Sequence, residues 1–330
     1  MKKIFINLMV IVCFVLSHST MAAIKITPEV TVFMDKMVKE YDFKQSDLTV
    51  LFQAAKTKQS ILKAMSRPAE GHMTWGKYRK IFLTKARIAG GVKFWQKNHD
   101  VLLDVEKKQG VPWQIIVAII GVETQYGGNM GSFRVIDALA TLAFSYPKRS
   151  QFFTSELENF LLLCRDEGKN PLEPKGSYAG AMGLPQFMPS SYRNYAVDYE
   201  QDKQRNIWSN PADAIASVGN YLSKYGWQRD KTIAHPVTVT GNDYLSALSD
   251  DLKPSFSLAQ LKDLKVKIPD NVAEESLAKL LDYEQSTGKE FWVGLTNFYV
   301  ITRYNHSRLY ALAVYQLSQE ILTKVKSGEN

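Results

Sequence analysis

The sequence predicts a mainly α-helical protein with one small β-containing insertion. Three observations carry that prediction. Apolar residues recur near every 3.6 positions in almost every long stretch after residue 27, residues 235–269 change to strand-and-turn composition, and no internal repeat or low-complexity segment interrupts either. At 330 residues, 45% hydrophobic and 22% charged, the chain can bury one large core or two to three smaller ones.

Residues 1–22 read as a cleaved export signal. Lys2 and Lys3 form a basic head, residues 4–16 are apolar apart from Asn7, and Thr20 and Ala22 supply small residues at the cut. That run is too short to span a bilayer comfortably. Cys13 lies within it, but Val12 stands before the cysteine where lipidation signals carry a small residue, so lipid anchoring is discounted. The exported chain then keeps only Cys164, in the apolar run Phe160-Leu161-Leu162-Leu163, which reads as a buried thiol with no disulfide to form. The formal charge of +8 falls to +6 without Lys2 and Lys3, leaving 39 basic against 33 acidic residues. Such an excess suits a polyanionic partner or a merely solvated surface, and export argues against nucleic acid.

Helices are predicted over residues 30–41, 46–53 and 59–65, with Pro68 as a breaker, then over 75–98 as one rod of six turns and over 101–109. Pro112 marks a helix first turn, and residues 150–167 and 211–225 read as further helices. The strand-like interval follows, with Val237-Thr238-Val239-Thr240 and the alternating Leu264-Lys265-Val266-Lys267-Ile268. Helical reading resumes near Ser276, 298–304 is strongly aromatic, and a closing helix covers 307–326.

The most informative stretch is Pro112 to Gly128, a helix apolar on nearly every face with Glu123 near its end and Gly127-Gly128 as its expected stop. Desolvation and the negative end of the helix dipole both disfavour a carboxylate there, so the reading expects a raised pKa, up to roughly 6, suited to proton donation near neutral pH. A buried glutamate paired with Arg or Lys for structure is the alternative. Ordinary glycosidases use two carboxylates. No second one stands in so apolar a setting: Asp137 reads as a helix cap, and Glu156, Glu158, Asp166 and Glu167 as residues on the polar side or at the end of a helix. Residues 176–192, rich in Gly and Ala, allow a polymer close to the backbone, with Ser177 and Gln186 as hydrogen-bonding groups, or form an ordinary turn-rich loop.

Taken together these segments resemble the lytic murein transglycosylase B family. The matches are Gly121-Val122-Glu123-Thr124, Asp137-Ala138-Leu139-Ala140-Thr141-Leu142, Gly180-Ala181-Met182-Gly183, Gln186-Phe187-Met188-Pro189-Ser190-Ser191-Tyr192 and Thr302-Arg303-Tyr304-Asn305-His306-Ser307, spread over residues 75–319. The resemblance implies a lysozyme-like helical core at 109–233 and 290–330, an N-terminal helical domain at 23–108 and the β-containing insertion at 234–289. It implies a periplasmic enzyme acting on peptidoglycan glycan strands with no cofactor for its chemistry. Glu123 would protonate the oxygen between N-acetylmuramic acid and N-acetylglucosamine, then take a proton from the muramic 6-hydroxyl as that attacks C1, giving a 1,6-anhydro end.

By the same resemblance Ser177 and Gln186 sit beside the glutamate, and Tyr221, Tyr304, Asn305, Tyr310 and Tyr78 line the cleft. Arg149 either faces the anionic peptide or lactyl group or belongs to a plain surface basic pair. Relatives carry an EF-hand-like calcium loop where this chain has Asp198, Glu200, Asp202 and Gln204. Lys203 stands at the usual glycine, Ser209 at the usual glutamate, and Asp213 either closes a longer loop or serves the first turn of a helix. A structural Ca²⁺ and a relic loop both remain open. So do two other functions, a peptidoglycan hydrolase using water and a non-catalytic peptidoglycan-binding protein, and partners in cell-wall synthesis or division.

Overall fold

The computed structural model describes residues 23–66, 73–269 and 277–328; the export signal and Pro68 lie outside them. Six helices come first: α1 (Pro28–Tyr41), α2 (Gln45–Ala54), α3 (Gln59–Met65), α4 (Trp75–Phe82), α5 (Lys85–Lys97) and α6 (His99–Gln109). The apolar α7 (Trp113–Thr124) follows, then β1 (Phe133–Arg134), α8 (Val135–Ser145), α9 (Ser150–Asp166), β2 (Lys175–Gly176), α10 (Pro189–Tyr195) and α11 (Pro211–Lys224). The insertion comprises β3 (Ala234–Val239), β4 (Phe256–Ser257), α12 (Leu258–Asp263), β5 (Val266–Lys267), β6 (Leu277–Glu284) and β7 (Lys289–Gly294). The chain then returns to helix in α13 (Thr296–Tyr304) and α14 (Arg308–Ser327).

Every residue of α7 is buried except Gln114 and Glu123, because α5, α6, α11 and α14 pack around it. A helix apolar all round is stable only in such a position. One continuous core joins α7 to the N-terminal helices and to α8, α9, α11, α13 and α14. A second, smaller core of Val237, Leu258, Leu261, Val266, Leu280 and Val293 lies within the insertion. Its five strands run in the order β4-β6-β7-β3-β5, each pair antiparallel.

Several sequence expectations need correction. The rod over 75–98 is two helices: Leu83 leaves the helical region (φ −91°, ψ 59°), and Thr84 Oγ1 accepts the Arg87 N–H at 3.2 Å, capping a new start. Ser276, where helix is expected to resume, lies outside the described residues; from Leu277 the chain is strand, β6 and then β7. β6 lies between two cores, with Ala278 and Leu280 facing the insertion core and Leu281 and Tyr283 the main one. Both faces are therefore apolar, and the alternation that betrays a half-exposed strand is missing. The stop of α7 is not Gly127-Gly128 but Gln125, which takes the left-handed conformation at φ 52°.

Asp137 is not a cap. It is a buried residue of the first turn of α8, gripped by Arg134 at 2.8 and 3.0 Å and by the Lys56 N–H at 2.9 Å. Glu156 is not on a polar face. It is 4% exposed and accepts Ser190 N–H at 2.9 Å and Ser190 Oγ–H at 2.6 Å, tying α9 to the first turn of α10. Burial pushes the Glu156 pKa up, against the pull of those two bonds. Cys164 is buried as expected, its thiol pushed up to about 12 by desolvation.

Candidate active site

Glu123 stands half-buried one residue before the end of α7, and the residues after it fix where that end lies. Gln125 and Tyr126 both have positive φ, 52° and 60°, so the chain turns sharply back. Tyr126 then folds its ring into a slot made by three glycines. An added Cβ at Gly90, Gly91 or Gly121 would come within 2.8, 2.5 and 2.5 Å of its nearest neighbour, which is the Tyr126 ring at Gly90, Ile321 at Gly91 and the Tyr126 hydroxyl at Gly121. The Tyr126 hydroxyl donates to the Arg87 carbonyl at 2.8 Å, joining α5 to the glutamate's helix. On the next residue, Thr124 Oγ1 donates to the Leu184 carbonyl at 2.9 Å and accepts the Gly127 N–H at 3.0 Å. The helix end is thereby bolted to the 183–187 loop.

From the other side, Tyr310 donates its hydroxyl to Glu123 Oε1 at 2.7 Å. Tyr310 lies in the first turn of α14, capped by the Ser307 hydroxyl, and is itself only 2% exposed. Tyr304, at the end of α13, stacks on Tyr310 with centroids 6.4 Å apart and planes 9° from parallel, and donates to the Pro185 carbonyl at 2.6 Å. Burial first, and then the charge of Glu123, holds both phenols far above their ordinary pKa, so both remain hydrogen-bond donors at any physiological pH. A carboxylate held by an oriented donor, beside a stacked aromatic wall and a glycine-rich loop, can exchange a proton with a polymer lying across it.

The structure joins Glu123, Tyr310, Tyr304 and the 183–187 loop through direct contacts. Gln186 belongs to that loop at φ 51°, and its Nε2 donates to the Met130 and Gly183 carbonyls at 3.2 and 3.0 Å. Ser177 Oγ accepts the N–H groups of Ala179 and Ala181 at 3.3 and 3.1 Å, so its acceptor side shapes the loop. Tyr221 packs on Tyr304 at 4.8 Å but is 6% exposed and donates to the Arg303 carbonyl, which places it behind the wall. Tyr78 is likewise buried, between Trp75 and Phe82. Asn305 is exposed and lines a hollow of about 450 Å³ together with Trp75, Asp282, Ser307 and Arg308. Arg149 is exposed, its guanidinium 4.4 Å from the Phe152 ring centroid.

Among the described residues three other carboxylates are buried: Asp137 is engaged by Arg134, Glu156 by Ser190, and Asp213 by the Tyr199 and Asn206 N–H groups. Residue spacing carries no signal for the contacts of Thr124; for Tyr126 the signal is Gly121, a glycine inside an otherwise bulky helix.

In residues 198–206, Lys203, at the place where an EF-hand loop has glycine, takes φ 70°. Asp198 accepts the Asp202 and Lys203 N–H groups, and buried Asp213 accepts those of Tyr199 and Asn206. Burial raises the Asp213 pKa against those bonds, and the charges of Asp198 and Asp202 raise it further, which makes the cluster short of positive charge. Among the described residues no three acidic, His or Cys side chains converge as a ready-made metal cage. The oxygen-rich donor set nonetheless matches a hard cation.

Comparison with known proteins gives a consistent picture. The family described as "Transglycosylase SLT domain" matches residues 25–319. The chain is 43% identical over 303 residues to the membrane-bound lytic murein transglycosylase B of Escherichia coli (strain K12), covering 89% of this chain and 82% of that one. It superposes with TM-score 0.86 and 47% identity on the soluble lytic transglycosylase SltB1 of Pseudomonas aeruginosa, covering 91% of this chain and 100% of the other. The Escherichia coli lytic transglycosylase Slt35 in complex with calcium is similar at TM-score 0.84 and 41% identity, covering 94% and 98%.

Proposed function

The chain belongs to the SLT transglycosylase family and is a peptidoglycan lytic transglycosylase; from that premise we propose that Glu123 alone serves as its acid and then its base, leaving 1,6-anhydromuramoyl ends. The observation that carries this is the hydrogen bond from Tyr310 to a single half-buried carboxylate at the end of a helix apolar on every other side. Glu123 gives its proton to the oxygen between N-acetylmuramic acid and N-acetylglucosamine, and the C1–O bond breaks. The carboxylate so formed accepts the proton of the muramic 6-hydroxyl as its oxygen bonds to C1. One proton leaves Glu123 and one returns, and no water enters. Tyr310 holds the carboxylate in place through both steps, and the part-exposed Tyr304, stacked on Tyr310, offers an aromatic edge to the sugar.

The enzyme works in the periplasm after export on residues 1–22, where its polymer lies. Among the described residues no helix is long and apolar enough to cross a membrane. Asp198, Glu200, Asp202, Gln204 and Asp213 would hold a structural Ca²⁺ if their side chains closed on it, since all offer hard oxygen donors. The left-handed Lys203 and the calcium complex of the Escherichia coli relative support this. Bound there, the ion would add stability to residues 198–213 rather than chemistry at Glu123.

The test is Glu123→Gln. Amide replaces acid at nearly constant volume, so the melting temperature should hold while release of soluble muropeptides from purified peptidoglycan falls by at least 10²-fold, the scale of general acid catalysis. Turnover within tenfold of wild type would remove Glu123 from the chemistry.

A further inference from the structure

Lys279, on β6, is a buried lysine that makes no ion pair among the described residues. It is 2% exposed, and a hydrogen bond of 2.5 Å joins its Nζ to Oγ of the exposed Ser249. Ser249 lines the hollow of about 450 Å³ that also holds Asn305. We propose that Ser249 and Lys279 form a second catalytic site, a serine nucleophile with a lysine base, that hydrolyses a small carboxylic ester. Its chemistry is independent of glycan cleavage at Glu123.

The strand explains the burial. Ala278 and Leu280 face the insertion core, so Lys279 turns to the opposite face of β6, the face of Leu281 and Tyr283. An ammonium there has three donors to satisfy, and Ser249 Oγ takes one. A charged amine so deeply buried is costly without a carboxylate bonded to it. Desolvation accordingly lowers the Lys279 pKa; the charges of Asp251 and Asp250 oppose that shift, and Arg308 adds to it. The neutral amine is a base, and the hydroxyl it meets is open to solvent. A base sheltered behind an exposed hydroxyl is the arrangement in which lysine activates serine.

The hollow supplies the remaining parts. Trp75 is fully buried in its wall, and the Trp75 Nε1–H has no acceptor among the described residues. Asn305 is an exposed amide lining the same space. Both are donors for an oxygen that gains charge when serine attacks a carbonyl. Leu252 and Leu309 give a short acyl chain an apolar side, and the volume suits a small ligand. Neutral Lys279 takes the Ser249 proton as Oγ bonds to the acyl carbon. The bond from that carbon to the alcohol oxygen then breaks, and the ammonium returns the proton to the departing oxygen. Water attacks the acyl-serine and gives a proton to Lys279, the acyl–Oγ bond breaks, and Lys279 reprotonates Ser249. One ester and one water yield one acid and one alcohol. An alcohol leaves more readily than the amine of an amide, which suits a base with no third residue to orient it.

The experiment treats the full mature chain with 4-nitrophenyl acetate and, separately, with a fluorophosphonate probe. We expect the probe to attach to Ser249, located by peptide mass spectrometry. Ester hydrolysis should fall at least 10²-fold in Ser249→Ala and in Lys279→Met and stay unchanged in Glu123→Gln. The wild-type rate should rise with pH and level off below the ordinary lysine value of about 10.4. Ser249→Ala should keep its melting temperature and its release of soluble muropeptides. No label on Ser249, or ester turnover by Ser249→Ala within tenfold of wild type, overturns the proposal. Labelling that persists in a folded Lys279→Met also overturns it, by removing the base; should that variant not fold, the label and Ser249→Ala decide.

Discussion

Replacing Gly121 by Ala adds one methyl group two residues before Glu123. Alanine is better than glycine in a helix interior by about 1 kcal/mol, so on propensity alone the change should stabilise. The new Cβ would stand 2.5 Å from the Tyr126 hydroxyl and 2.6 Å from its Cζ. Tyr126 cannot swing aside, because the same ring lies against Gly90 and Gly91, near Phe94 at 5.6 Å, with its hydroxyl bonded to the Arg87 carbonyl. Overpacking costs about 1–3 kcal/mol, and loss of the hydroxyl's bond about 1 kcal/mol more. The net expectation is destabilisation by about 1–3 kcal/mol, read as a lower urea midpoint with unchanged m-value. In a Tyr126→Ala background, itself destabilised by roughly 3–5 kcal/mol, the methyl enters the vacated slot, and Gly121→Ala becomes neutral or stabilising by up to about 1 kcal/mol. The coupling between the two changes is thus at least about 1 kcal/mol. Equal effects of Gly121→Ala in both backgrounds would refute the slot as the reason for the glycine.

Two further outcomes follow from the same geometry. Tyr310→Phe keeps the ring that stacks on Tyr304 and removes only the donor to Glu123; steady-state assays should show kcat lower by about tenfold, the worth of a hydrogen bond to a charged group, with KM little changed. Calcium at a hundredfold excess over its Kd should stabilise the wild type by about 2.7 kcal/mol, seen as a raised melting temperature relative to chelator, and Asp213→Asn should lose most of that gain; an identical melting temperature with and without calcium would make the 198–213 segment a relic.

The helical fold and the glutamate were legible because α7 packs on all sides, which only an unbroken apolar run permits, so its one half-buried carboxylate stood out. Other features were hidden for physical reasons. β6 faces one core with Ala278 and Leu280 and another with Leu281 and Tyr283, so its sequence lacks polar alternation and its Leu, Lys and Glu read as helix formers. The break at Leu83 depends on Thr84 closing a cap, a weak signal inside a strongly periodic stretch. Glu156 looked solvent-facing because its partner, Ser190, is 34 residues away, and a carboxylate's burial depends on tertiary partners that spacing does not reveal. At the site, Tyr304 and Tyr310 are brought to Glu123 by α13 and α14, whose return after the β-containing insertion is a matter of topology.

The central claim is that Glu123 acts alone and that the nucleophile is the substrate's own 6-hydroxyl. A well-oriented intramolecular group can act at an effective molarity of about 10⁵ M or more, which water does not match. Digestion of purified peptidoglycan in oxygen-18 water, followed by mass spectrometry of the muramic ends, tests this directly. The account predicts unlabelled 1,6-anhydromuramoyl products; oxygen-18 at C1 with a reducing end would show that water attacks, that a second base assists it, and that the enzyme is a hydrolase.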